Sequence, residues 1–249
     1  MLTSRLIRLV CRAGIAGGIT SMSMNLKASA ARLPHGVTIR RLALLSLLGI
    51  VLYVVLDILL FFLRPDLPIL RHAESDYGNG PWAWIMDINF LLRCFLSLAA
   101  AGALWYTLPR TANSQIALGL LVVWAIASGL LAFFPDDYEG TPATAHGRIH
   151  LAAAAIAFLG CLLATLLLTR ELARHWGWRP IAATLGVFWV IAALGLVLLT
   201  LVGFRPGRLD GLYERIFLGF ELLWLAVAMS YLYRLNAAPA DDGHGVSQV

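Results

Sequence analysis

Charge is what this sequence has least of. Only 19 basic and 14 acidic side chains occur among 249 residues, 13% of the chain against 60% hydrophobic residues. Soluble domains carry about 25% charged residues, so an ordinary water-facing surface is excluded, as the mean hydropathy of +0.79 also requires. Cysteine is scarce too. Cys11, Cys94 and Cys161 give no disulfide framework, and the last two fall in apolar segments, where a thiol behaves as a small hydrophobe. Alternation of apolar and polar residues is lacking, which excludes membrane β-strands. No internal repeat is visible, so an inverted-repeat transporter gains no support. No cleavable signal is expected either, because Arg8 and Arg12 interrupt the apolar core it requires.

What is present is long apolar blocks. Six windows, at 42–63, 82–106, 115–134, 149–169, 180–203 and 213–233, each approach the roughly 20 helical residues that cross a hydrocarbon core of about 30 Å. Lipid satisfies no backbone donors, so continuous apolar blocks of this length read as helices. The fold class is therefore all-α: a polytopic integral membrane protein with six transmembrane helices in one antiparallel bundle, joined by short connections. Residues 1–40 read as a basic, disordered tail, 41–234 as the membrane domain and 235–249 as a second disordered tail. Trp82, Trp84, Trp105, Trp176 and Trp178 fall at span ends, where interfacial anchors belong.

The basic residues are unevenly placed. Arg5, Arg8, Arg12, Lys27, Arg32, Arg40 and Arg41 precede the first window, and Arg110, Arg170, Arg174, Arg179 and Arg234 flank the same face. The opposite connections hold Arg64, Arg71, Arg205 and Arg208 among Asp66, Glu74, Asp76, Asp136, Asp137, Glu139 and Asp210. The positive-inside rule then puts both termini in the cytoplasm and the protein in a bacterial inner membrane. This asymmetry, and not nucleic acid, accounts for the formal net charge of +5.

Ionisable residues inside spans are costly and need a partner, a cavity or a boundary position. Asp57 falls roughly 24 Å along the first helix at 1.5 Å per residue, in its outer half. Asp87, Asn89 and Arg93 lie on the second helix, and Glu214 and Glu221 on the sixth. Tyr53 and Asp57, Asn89 and Arg93, and His146 and His150 are each four apart and share a helix face. All these groups are expected in the outer half, with nothing comparable in the cytoplasmic half. Arg93 is expected to pair with Asp57 or Glu221 across the bundle, although such a pair can serve only to fix helix register.

The densest polar run is FFPDDYEGTPATAHGRIH, from Phe133 to His150. Pro135 stops one helix and the Thr144 hydroxyl can cap the next. His146 and His150 with Asp137, or His72 with Asp76 from the first external connection, are the metal candidates, and zinc at an open site would activate water. Two histidines are one ligand short, and the glutamate of a zinc-protease motif is absent. Arg148, with the free amides of the helix start, also suits a lipid phosphate.

Two segments resemble a known family. FFLRPDLPILRHAESDYGNGPWAWIMDINFLLR, at 61–93, carries an RPD-type turn, a Ser-Asp-Tyr-Gly element and a Gly-Pro-aromatic helix start. FPDDYEGTPATAHGRIH, at 134–150, carries FP-acid, threonine and Gly-x-x-His. Together they are similar to the membrane family known as domain of unknown function 998, over roughly 42–234. The resemblance implies a multi-helix membrane protein and brings no established activity. Arg64, Pro65, Asp66, Ser75, Asp76, Tyr77, Gly78, Pro135, Asp137, Gly147 and His150 match its pattern.

The functional expectation is an outward-facing polar pocket that takes a lipid headgroup or small polar ligand, with membrane lipids as partners. Its candidate residues are Asp57, Asp76, Asp87, Arg93, Asp136, Asp137, His146, Arg148, His150, Glu214 and Glu221. A metal-dependent intramembrane lipid hydrolase and a proton- or ion-coupled transporter are the alternatives. The topology is directly testable: alkaline phosphatase fused after Asp76 or Asp137 is expected to be active in the periplasm, and fused after Arg110 or Arg174 inactive. The reverse pattern would invert the assignment.

Overall fold

A computed structural model of the protein describes residues 35–138, 141–203 and 209–237. The basic tail with Cys11, the loop residues Glu139, Arg205 and Arg208, and the polar tail from 238 lie outside the described residues. Six long helices make up the fold: α1 Gly36–Leu63, α2 Ala83–Trp105, α3 Ala112–Leu131, α4 Ala145–Arg174, α5 Arg179–Leu198 and α6 Asp210–Leu235. All six are long and apolar enough to cross a membrane, and no strand occurs among the described residues.

The helix ends follow local chemistry. α1 begins six residues before the apolar window does, because its first turns pack on α6. Ile39 is fully buried, and Arg40 donates to the Tyr233 hydroxyl at 3.0 Å while lying 4.7 Å from that ring's centroid. α3 stops at Leu131, short of the expected Phe134, and the chain then turns ahead of Pro135, which cannot donate to a continuing ladder. Thr144 caps α4 as its position promised, accepting from the Gly147 amide at 3.0 Å. Pro180 sits in the first turn of α5, where its missing N–H is harmless, and a π-helical turn, Leu199–Gly203, follows α5.

Successive helices are neighbours, and α6 packs back against α1 to close a ring; α2 and α4 also touch α6. In their most apolar windows α1 and α5 are only 28% and 22% buried, against 44–50% for the others. Those two helices therefore turn most of their apolar side chains, such as Val51, Val55, Val187 and Leu194, toward lipid. Between helices the two largest buried aromatics are satisfied by hydroxyls: Trp124 donates to Ser97 at 2.7 Å and Trp224 to Thr169 at 2.9 Å.

Without a hydrophobic drive between helices in lipid, close approach matters. At Gly195 on α5 a Cβ would lie 2.8 Å from the Phe217 amide nitrogen of α6. The neighbour is backbone and cannot step aside. Gly195→Ala is therefore expected to destabilise by about 1–3 kcal/mol through overpacking, whereas Gly119→Ala, with nothing within 4 Å, should leave thermal unfolding unchanged or slightly raised. Tryptophan fluorescence against temperature in detergent distinguishes the two.

Candidate functional site

The polar residues gather at the end of the bundle away from the start of α1 and the end of α6, under the connection from α1 to α2. Arg64, which caps α1, clamps this connection. Its Nε and Nη2 take both oxygens of Asp66, at 2.9 and 2.7 Å, and its Nη1 donates to the Asn79 carbonyl. The bidentate pair holds the exposed Asp66 carboxyl below its usual range. Gly80 completes the clamp: its φ of +88° suits only glycine, and a Cβ there would meet Arg64 Nη1.

Between these anchors a short 3-10 helix, Glu74–Gly78, dips into the bundle and carries Glu74 with it. Glu74 is 3% exposed. Its carboxylate accepts from the Tyr53 hydroxyl of α1, and its own amide donates to Glu214 of α6 at 2.6 Å. Arg93 of α2 places Nη1 3.3 Å from the Tyr53 hydroxyl and 3.9 Å from Glu74 Oε2. The Arg93 guanidinium is further surrounded by the rings of Phe90 and Trp124, each 5.2 Å away, and Tyr53 at 5.9 Å. Cation–π contacts contribute about 2 kcal/mol or more each where water is excluded, which helps offset the burial of a charge left 2% exposed.

This corrects the expected pairing. The carboxylate nearest Arg93 is neither Asp57 nor Glu221 but Glu74, brought in from a loop. Asp57 instead lies within electrostatic reach of Glu74 and Arg215. Glu221 sits deeper, 1% exposed, where the hydroxyl of Thr165 is 3.2 Å and the thiol of Cys161 3.5 Å from its oxygens. The opposite half of the bundle is not empty either: Glu171 near the end of α4 is 4% exposed, with Thr111 3.4 Å and His175 3.5 Å away.

Arg215 ties α6 to the same loop. Its Nη1 donates to the carbonyls of Ile69, at 2.9 Å, and His72, at 2.8 Å, and its guanidinium carbon lies 5.5 Å from the centroid of the Tyr77 ring. Tyr77 is fully buried, and burial pushes its hydroxyl pKa up. Several buried polar atoms here have no partner: Asp57 Oδ1, Tyr77 hydroxyl, Asn89 Oδ1, Arg93 Nε, and Nε and Nη2 of Arg215. They come from α1, the 3-10 helix, α2 and α6.

Nearer the surface lies a second group. His72 Nδ1 is 3.0 Å from Asp76, yet burial outweighs this pairing and raises the Asp76 pKa. Ser75 donates to Asp136 at 3.2 Å, and His150 Nε2 faces the same Asp136 oxygen at 3.8 Å. The carboxylate stands between hydroxyl and imidazole. The imidazole therefore has no contact with the hydroxyl it would have to deprotonate, and the trio is not an activated nucleophile. His150 Nδ1 donates to the Phe134 carbonyl at 2.7 Å. Asp137 accepts from the Thr144 hydroxyl and amide at 2.7 and 2.9 Å, and these bonds lower its pKa.

The metal candidates do not converge. His146, at the exposed start of α4, leans on the Phe134 ring at 5.5 Å, while His150 is 3% exposed. The i, i+4 spacing gave one helix face, but the first turn projects beyond its neighbours. His72 is engaged with Asp76 and Asp137 with Thr144. No group of three His, Cys, Asp or Glu side chains placed to hold a metal ion occurs among the described residues. Arg148 is exposed, acting on Asp137 only through charge, and Asp87 is half-buried outside the cluster. An apolar groove of about 300 Å³, lined by Ile181, Ala226, Val227, Ser230, Tyr231 and Arg234, lies at the other end and holds no buried ionisable group.

Glu74 and Tyr53 were missed as site residues. A loop glutamate gives no sign in sequence that it will be buried, but Tyr53 shares a face with Asp57, which was a usable signal. Arg215 is not among the candidates either, although a basic residue beside Glu214 marks a helix start that needs a partner.

The architecture is that of a multi-pass integral membrane protein with a polar cluster buried at one end of its bundle. The family model described as protein of unknown function (DUF998) matches residues 47–231, so the chain belongs to that family. No curated protein and no solved structure matches it.

The Glu74 contacts make a sharp stability prediction. Glu74→Ala leaves Arg93 without its nearest carboxylate and Tyr53 without its acceptor, and breaking a buried pair in this way costs about 3–5 kcal/mol. Glu74→Gln, which keeps an acceptor for Tyr53, is expected to lose less. Thermal melts of both variants check this, and equal melts would remove Glu74 from its anchoring role.

Proposed function

We propose that this protein holds a small polar ligand or lipid headgroup in the polar cluster beneath the α1–α2 connection, on the outward face of an inner membrane, with both termini in the cytoplasm. The observation that carries the reading is the set of unpartnered buried polar atoms on Asp57, Tyr77, Asn89, Arg93 and Arg215. Native structures leave few such atoms unsatisfied, because each costs about 1–3 kcal/mol. Five residues with orphaned atoms at one end of a bundle are supported best by a polar occupant.

The side of the membrane rests on the distribution of arginine in the sequence. The hydrolase reading draws no support from the geometry, since its ligands are spread over separate contacts. The transporter reading draws some from Glu221 and Glu171, which carry buried polar groups past the outer half, but no chain of hydrogen bonds among the described residues joins them.

Native mass spectrometry of protein extracted in mild detergent tests the proposal. A retained lipid or small polar species is expected, diminished at least tenfold in the double variant Arg93→Met, Asn89→Leu and kept in Arg148→Ala. Ligand-free protein of unchanged thermal stability would overturn it.

A further inference from the structure

We infer that the occupant is a phosphoethanolamine group, a zwitterion with a primary ammonium and a phosphate, as carried by ethanolamine phospholipids. This rests on the ligand-binding reading above and specifies its chemistry. The unpartnered atoms are of two kinds. Arg215 Nε and Nη2 and Arg93 Nε are N–H groups without an acceptor; Asp57 Oδ1 and Asn89 Oδ1 are acceptors without a donor. The Tyr77 hydroxyl serves either way. Asp57 and Arg215 are within electrostatic reach of one another, yet no direct ion pair joins them. A group that bridges them must offer an acceptor to the guanidinium and a donor to the carboxylate, and an ammonium beside a phosphate oxygen supplies both.

Charge narrows the choice. Asp57, Glu74 and Glu214 face Arg93 and Arg215 in this cluster, so acidic and basic side chains are interleaved. A simple anion would suit the guanidiniums and leave Asp57 Oδ1 and Asn89 Oδ1 without a donor. A simple cation would leave Arg215 and Arg93 unmet. A zwitterion answers both without adding net charge, and phosphate is the partner that a guanidinium's planar fork fits.

The ammonium must carry N–H. A quaternary ammonium has no N–H to give Asp57 Oδ1 or Asn89 Oδ1, and binds instead in a cage of aromatic faces. The rings that would form such a cage, Tyr53, Phe90 and Trp124, are already taken by the Arg93 guanidinium. A lipid source is within reach: Asp57 is followed on α1 by exposed Ile58, and preceded by exposed Val54 and Val55, so the acid borders the lipid-facing side of its helix.

The test is a competition on delipidated full-length protein in detergent. Ethanolamine, choline and glycerol phospholipids of identical acyl chains are added at equal concentration and read by native mass spectrometry. The ethanolamine lipid is expected to be retained at least tenfold over the choline lipid, with the preference lost in Asp57→Ala. Arg215→Lys, which keeps a donor for the loop, covers the case in which Asp57→Ala fails to fold, and is expected to weaken retention. Free phosphoethanolamine, added last, separates the sources: displacement of the lipid supports the inference with a soluble ligand, and persistence supports it with the phospholipid. Equal retention of ethanolamine and choline lipids, or preference for the glycerol lipid, overturns the inference and leaves polar-ligand binding standing. Retention of no species overturns both, as expected if the orphaned atoms are met by water alone.

Discussion

Glu74 is the contact on which this end of the bundle depends. One loop carboxylate, carried inward by a short 3-10 helix, meets Tyr53 of α1 and Arg93 of α2, while its own amide is held by Glu214 of α6. Three helices that touch lipid elsewhere are thus fixed to one another through a residue that belongs to none of them. Hydrocarbon gives helices little reason to associate, since lipid tails are as apolar as leucine. Polar contacts buried against an alternative of no partner at all are a natural substitute, and here they lie where an apolar interface would leave Arg93 unpaired.

The membrane domain was legible because bilayer thickness imposes a length that sequence displays openly. Six windows became six helices, and Thr144 capped α4 as its place before Ala145 implied. Arg93 was legible as a problem requiring a solution, but not the solution. Its partner came from Glu74, a residue whose composition and setting read as solvated loop, and whose burial depends on how deep the connection folds. The histidine spacing shows the opposite error. His146 and His150 do share a helix face, but the first turn of α4 stands clear of its neighbours, so one ring is exposed and the other buried.

Depth was the other point on which pattern fell short. Glu221 and Glu171 are buried toward the middle and the far end of the bundle, and each is met by neutral hydroxyl or thiol groups, with Arg174 and His175 joining only Glu171 at its helix end. Linear distance along a helix places a residue along the membrane normal. It says nothing of which neighbouring helix supplies its partners, and Thr165, Cys161 and Thr111 are ordinary residues until that is known.

Finally, the connection over the polar cluster is sewn to α6 and not merely draped across it. The Leu212 amide donates to the Leu70 carbonyl at 3.1 Å, Arg215 grips the carbonyls of Ile69 and His72, and Gly211 runs so close to those same two carbonyls that no side chain fits between. The mechanical unit at this end is therefore the loop together with the first turn of α6. Displacing this connection would break its bonds to the first turn of α6, which ties the cover over the buried groups to the packing of α6 against α1 and α5.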